Sequence, residues 1–217
     1  MRVLVIDTAL DACTAAVFED GRALGVRSEV MARGHSERLG GFVRDAVAEA
    51  GGGFEALDRI GVTVGPGSFT GLRVGLAFAQ GLGAALGVPV VGVSTLAALA
   101  RSADGGQGAT AAVIDARRGQ VYQQLFEDGA PTFDPEALSI EDASARLADQ
   151  TWRITGSGAT LVGGELSTLT APDPAALAAL TVALDPATHP PRPLYLRAPD
   201  ATPPTRLPGQ ARPVPVA

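Results

Sequence analysis

The chain has 217 residues, 46% of them hydrophobic, and carries 17 basic against 23 acidic side chains for a net charge of −6. All of its cations are arginine, which excludes a lysine nucleophile, a Schiff base and the lysine of a phosphate-binding P-loop. The acidic balance argues against a stand-alone nucleic-acid binder, so any role in RNA chemistry would need a basic partner to hold the RNA. The first residues run straight into the strand-like RVLVID without a charged leader or cleavage site, and a cytoplasmic protein is expected. The single cysteine, Cys13, forms no internal disulfide and reads as a small buried thiol near the start of a hydrophobic strand.

Val5–Gly21 (VIDTALDACTAAVFEDG) and Val113–Gly129 (VIDARRGQVYQQLFEDG) align without a gap, with seven identities in seventeen positions, all at the two ends. In each, a hydrophobic run stops at Asp, a short turn follows, and an alternating run reaches a second turn at Asp-Gly. That is a hairpin signal, and its recurrence at one spacing points to duplication. After the first hairpin the pattern predicts a strand from Arg22 to Val30 and a helix beginning with Ser36 as N-cap. That helix carries Leu39, Phe42, Val43, Ala46, Val47 and Ala50 on one face and ends at Gly51-Gly52-Gly53. Then come the strand RIGVTVG, a helix over 70–86, the strand PVVGV, and the helix STLAALARSA capped by Ser94 or Thr95. After the second hairpin the expectations are one strand in APTFDPEALS, a helix over 140–148, a strand and glycine turn in RITGSGATLV, and a helix over 174–184 with Pro at its first turn. From Pro186 onward ten of 32 residues are proline, which predicts an extended segment, ordered to about Arg197 and loose beyond. Alternating strands and helices around buried strands make the fold class α/β. The division expected is 1–103, 104–200 and a proline-rich tail at 201–217.

The stretch VGPGSFTGLRVG places Gly65, Gly67 and Gly71 at positions one, three and seven. A P-loop ends in Gly-Lys-Ser/Thr and the dinucleotide fingerprint needs glycines at one, three and six, so neither is met. A helix N-terminus facing an anion stays open as one reading, and a tight structural turn, with Ser68 as turn or cap residue, as the other. Beyond it Gly71, Gly75, Ala79, Gly83 and Gly87 recur every four residues and give a helix a face of small side chains. Each internal glycine costs about 0.5–1 kcal/mol relative to alanine, so another backbone is expected to come close. That backbone belongs either to the same domain or to a partner subunit. Val74 to Ala100 carries no charge, yet its glycines and Pro89 divide it into pieces too short to cross a bilayer, and no membrane role is expected.

Asp7 and Asp115 end equivalent strands, where ligands usually bind in parallel-sheet folds. They suit either a metal–nucleotide site or ordinary turn capping, and neither is followed by the Gly/Thr run that binds phosphate well. His35 and His189 stand far apart, and His35 reads as part of a helix start. A zinc or iron site would therefore depend on carboxylates.

A hairpin-led α/β half occurring twice is the plan of the actin/sugar kinase/Hsp70-like (ASKHA) fold. The segments IDTALDACTAAVFEDG, HSERL, VGPGSFTGLRVGLAFAQGLGAALGVPVVGVSTLAALA, VIDARRGQVY and PLYLRAPDA together resemble the TsaB, or YeaZ, family. The resemblance runs from Val3 to about Ala201, and its motif turn is Gly65, Pro66, Gly67, Ser68, Phe69, Thr70, Gly71 and Arg73. It implies a non-catalytic paralogue of TsaD, the subunit that transfers threonylcarbamoyl onto N6 of adenosine 37 in tRNAs reading codons that start with A. It also implies docking onto TsaD through the first two helices of the N-terminal half, a homodimer through the same helices when TsaD is absent, the ATPase TsaE as a further partner, and tRNA contacted indirectly. Carried onto this chain, the docking set is Leu39, Phe42, Val43, Ala46, Leu72, Gly75, Leu76, Ala79 and Gly83. No cofactor is implied for this chain alone, and ATP or ADP only in the complex. The positions matching the two metal-ligand histidines of TsaD are Thr95 and Leu99, neither of which replaces a histidine. The rival readings are a small-molecule kinase using Asp7 and Asp115, and a metal-dependent peptidase.

Overall fold

A computed structural model describes residues 1–31, 33–104 and 107–197. The tail expected at 201–217, and the question of order from Pro199 on, lie outside the described residues. The chain forms strands β1 (Arg2–Asp7), β2 (Ala12–Glu19) and β3 (Arg22–Val30), helix α1 (His35–Ala50), β4 (Arg59–Gly65), α2 (Phe69–Leu86), β5 (Val90–Ser94) and α3 (Thr95–Asp104). It continues with β6 (Ala109–Arg117), β7 (Gln120–Glu127), β8 (Ala130–Pro131), β9 (Glu136–Ser139), α4 (Ile140–Ala145), β10 (Arg153–Thr155) and α5 (Pro174–Ala183).

The duplication is visible in the topology. The first sheet runs β3-β2-β1-β4-β5, and the second runs β8-β7-β6-β10 with β9 also pairing β7. In both, an antiparallel hairpin is extended on its first strand by a parallel neighbour. The Asp-Gly turns match as well: Asp20, Gly21, Asp128 and Gly129 all have positive φ, the backbone of a two-residue hairpin whose twist suits the flanking strands. The second half has no counterpart of β5 among the described residues. The strand expected in APTFDPEALS is two short ones, and α4 stops three residues early.

Along β1 alternate residues point to opposite faces, and both faces are covered. Leu4 and Ile6 join Cys13, Ala15 and Val17 beneath α1 and α2. Val3 and Val5, with Ala16, Phe18, Val91 and Val93, lie beneath α5 and Ala98 of α3. Helix α3 is the shared layer, since its Leu96, Leu99 and Ala100 pack on Ala112, Ile114 and Phe126 of the second sheet. By packing, α5 belongs to the first half although its sequence lies in the second. Two features fix it there. Thr181 sits over Gly61 with no room for a side chain between them, and the Arg59 guanidinium donates to the carbonyls of Thr181, Val182 and Leu184 at 3.0–3.3 Å, closing the C-terminal end of the helix.

After α5 the proline-rich segment is an extended strap along the β5 edge and α2. Gly92 N–H donates to the His189 carbonyl (2.9 Å), and Leu194 N–H to that of Val64 (2.7 Å), with the Leu194 side chain packed into the first core. The Gln80 amide donates to the Pro191 carbonyl at 2.6 Å, and Arg197 reaches across to the Ala116 carbonyl of the second half at 2.7 Å. Part of an otherwise open sheet edge is thereby covered. Helix α2 is the one helix among the described residues long and apolar enough to cross a membrane by length and composition; its inner face packs on the first sheet.

Candidate functional site

The motif turn connects β4 to α2 and packs against the loop that follows β1. Gly65 and Pro66 are buried, their peptide bond is cis, and Gly65 has a φ of 110° with the Leu194 carbonyl where a side chain would go. A Cβ at Gly67 would strike the Ala9 carbonyl, and one at Gly71 the Thr8 carbonyl. Ser68 N–H donates to Ala9 O at 2.7 Å, while its hydroxyl accepts from Gly71 N–H at 3.3 Å as the N-cap of α2. The Thr8 hydroxyl donates to Gly71 O at 2.8 Å. These glycines let two backbones of one chain touch, and the Ser68 and Gly71 amides are spent inside the chain. The glycines of the stretch make the contacts of a tight turn within the chain. Phe69, Thr70 and Arg73 lie on the surface.

The helix continues the same way, which corrects the docking set. Gly75 faces the Thr8 hydroxyl and Gly83 faces Val90, so the close backbone belongs to the chain's own sheet. Leu39, Val43, Ala46, Leu72, Gly75, Leu76, Ala79 and Gly83 are all buried, and Phe42 is half-buried. All but Phe42 build the core under α1 and α2 and offer no surface, while Phe42 packs against that core and keeps part of its ring accessible. The outward residues of α2 are Phe69, Thr70, Arg73, Ala77, Gln80, Gly81, Ala84 and Ala85, with Phe78 and Leu82 half-buried beside them. Gly40 of α1 lies opposite Phe78, and Gly41 and Gly81 face open space. The cap of α1 is Gly34 rather than Ser36, which leaves His35 as a buried first residue.

Asp7 and Asp115 occupy matching positions. Asp7 Oδ1 accepts from Ala9 N–H (3.0 Å) and Asp115 Oδ1 from Arg117 N–H (2.7 Å), the same turn two residues on. Their surroundings differ. Asp7 is 1% exposed and accepts from the Thr63 hydroxyl at 2.7 Å, while its Oδ2 has no partner among the described residues. Burial pushes its carboxyl above the ordinary 3.8, against the hydrogen bonds from Ala9 and Thr63 and the nearby His35. Asp115 is partly exposed and pairs with the Arg117 guanidinium at 3.1 Å, and by strand register the place of Thr63 is taken here by Gly158, which has no hydroxyl to donate. It lines a polar cleft of about 340 Å³ between the halves, with Asp11, Ser68, Arg117, Tyr122, Ser157 and Thr170. Asp7 does not line it, so the structure does not bring the two acids together in one site.

A raised folded pKa means that the folded state holds this proton more tightly than the unfolded chain. The stability it contributes is complete below the unfolded pKa and is lost as pH rises through the folded one. Asp7→Asn keeps an acceptor for Ala9 and Thr63 and cannot ionise. Its stability relative to wild type is therefore expected to improve as pH rises above about 4, the ordinary pKa of an unfolded Asp. Chemical denaturation across that range checks this, and a difference independent of pH contradicts it. Cys13, also buried, has its thiol pushed up to about 11 by burial first and by Asp7 and Glu29 after it, which leaves it un-ionised and a poor nucleophile.

The metal reading does not fit these residues. Thr95 and Leu99 are fully buried, with Leu99 in the core between α3 and the second sheet. Among the described residues no three His, Cys, Asp or Glu side chains gather as a ligand set.

Residues 16–161 match the family model for tRNA N6-adenosine threonylcarbamoyltransferase, TsaD. An uncharacterized protein of Mycobacterium tuberculosis is 42% identical over 208 residues, 93% of this chain and 94% of that protein. The tRNA threonylcarbamoyladenosine biosynthesis protein TsaB of Escherichia coli is 40% identical over 129 residues, 58% of this chain and 55% of that protein. The solved structure of YeaZ from Pseudomonas aeruginosa superposes with a TM-score of 0.76 at 32% identity, covering 90% of this chain and 99% of that one. A second Pseudomonas aeruginosa structure, described as similar to peptidase YeaZ, gives 0.79 with the same identity and coverage. The two sheets, their shared order and these likenesses make the fold that of the ASKHA group, and the chain belongs to the TsaB (YeaZ) family.

Proposed function

We propose that this chain is the accessory, non-catalytic subunit of a cytoplasmic tRNA threonylcarbamoyladenosine pathway. It docks onto the TsaD-type transferase through the outward faces of α1 and α2 and holds it active together with TsaE. The homodimer uses the same faces, tRNA is met through the partners, and any ATP or ADP belongs to the assembled complex. One observation carries the reading: the outward face of α2 is free of charge from Val74 to Leu86 and, apart from Gln80, small and apolar, next to the glycines of α1. An interface core is depleted of charge in this way, and small residues let a second helix lie close. Family membership supplies the identity of the partner.

Gly81→Arg tests the surface without disturbing the fold, since nothing in the chain lies within 4 Å of a side chain placed there. The variant is expected to keep the wild-type melting temperature and to lose co-purification with TsaD and support of the reconstituted modification. An unchanged complex would remove the assignment.

A further inference from the structure

The sequence of α2, FTGLRVGLAFAQGLGAAL, contains a single ionisable side chain, Arg73. Its guanidinium lies 3.8 Å over the Phe69 ring, and its Nε donates to the Tyr195 hydroxyl at 3.2 Å. The two rings touch, with centroids 5.3 Å apart and planes tilted by 34°. Phe69 is 48% exposed and Tyr195 44%. Tyr195 is itself held in place, because the strap that carries it is tied down by Leu194 and by Pro191. The result is a cation gripped between a helix and the strap. No carboxylate among the described residues pairs with Arg73, and its two Nη groups make no hydrogen bond there.

An arginine fixed in this way loses little side-chain freedom on binding, and a guanidinium whose Nη edge is open matches a carboxylate with two parallel hydrogen bonds. Arginine, tyrosine and phenylalanine are also the side chains that concentrate binding energy at protein interfaces. We infer that Arg73, clamped by Phe69 and Tyr195, is the electrostatic anchor of the docking surface, and that its occupant is an acidic side chain of the TsaD-type partner. Charge complementarity is the argument, because Arg73 is the one ionisable side chain of α2 and no carboxylate among the described residues pairs with it, so it selects an acid on the partner surface that meets this helix. The strap then forms part of the docking surface as well as covering the sheet edge. This rests on the docking reading above.

Calorimetric titration of the TsaD-type partner into the full chain, at low and high salt, tests it. Arg73→Ala should leave the melting temperature unchanged, weaken binding about 30-fold, on the scale of interface anchors, and flatten the dependence on salt. Arg73→Lys should restore only part of the affinity, since an ammonium does not form the paired bonds. Tyr195→Phe, which removes the hydroxyl but keeps the ring, should weaken binding a few-fold. If Arg73→Ala binds the partner as wild type does while Gly81→Arg does not, the anchor is wrong and the docking surface stands. If Gly81→Arg also binds normally, the docking reading itself is lost and this inference with it. A loss of affinity for tRNA at unchanged affinity for the partner would assign Arg73 to phosphate and overturn the proposal.

Discussion

Gly75→Leu is expected to destabilise the fold strongly, although a position on a helix face of small residues invites the view that it blocks only a partner. A Cβ at Gly75 meets the Thr8 hydroxyl, with methyl groups of Val62 and Ile6 at 3.6 and 3.7 Å behind it. The hydroxyl cannot yield freely, because it donates to Gly71 O and thereby ties the β1 loop to the first turn of α2. A leucine there must lift the helix off β1 and β4. Overpacking of this kind costs about 3 kcal/mol or more, a fall in melting temperature of about 6–12 °C at this chain length. Thermal unfolding followed by circular dichroism checks it, and a melting temperature within a degree of wild type would show that the helix relaxes at no cost. Gly81→Arg, six residues on and outward, is the matched control.

The second large effect concerns the opposite face of the sheet. Gly61→Ala adds one methyl group, and the Thr181 hydroxyl, Cβ and Cγ2 occupy its place, the two carbons at 2.8 Å. Threonine is stiff about its first torsion in a helix, and this one donates to Leu177 O, so it cannot swing away. Helix α5 has to shift outward, which pulls the Arg59 guanidinium from the carbonyls it caps and opens the layer over Val3, Val5, Val91 and Val93. A loss of about 2–3 kcal/mol is expected, with faster amide exchange concentrated in α5. Adding Thr181→Ala removes two of the three obstructing atoms and should recover part of the loss, a coupling that a double-mutant cycle measures directly. Equal, additive losses would mean that the two residues do not meet.

These two glycines mark the boundary of what sequence could tell. The hairpins were legible because Asp-Gly between alternating runs encodes its own backbone, and the positive φ values at residues 20, 21, 128 and 129 follow from it. The Ser68 cap and the alternation of strands and helices were legible for the same reason, being local. The period-four run of small residues marks a close approach at Gly71, Gly75 and Gly83, while Gly87 is the left-handed C-cap of α2 in open space, and an approaching strand of the same chain and a helix of a partner demand the same small side chains. Only the placement of Thr8 and Val90 decides between them, and it gives the small face to the chain's own sheet. Asp7 and Asp115 look alike in sequence and sit at matching strand ends. What separates them is Thr63 in one half and Gly158 in the other, residues far along the chain. The home of α5 was hidden too, because its ten residues are apolar or small on all sides and name no sheet. The grip on Arg73 depends on Tyr195, 122 positions later.

The return of α5 and the strap to the first sheet bears on how the protein is made. Residues 1–94 emerge from the ribosome first and hold all five strands of that sheet, but half of its apolar surface waits for a helix more than seventy residues downstream. Until then Val3, Val5, Phe18, Val91 and Val93 have α3 alone for cover. The amino-terminal half is therefore not a module that can be completed during synthesis and left behind. It stays open, and prone to associate with other chains, until the last described segment has been translated and wound back over it.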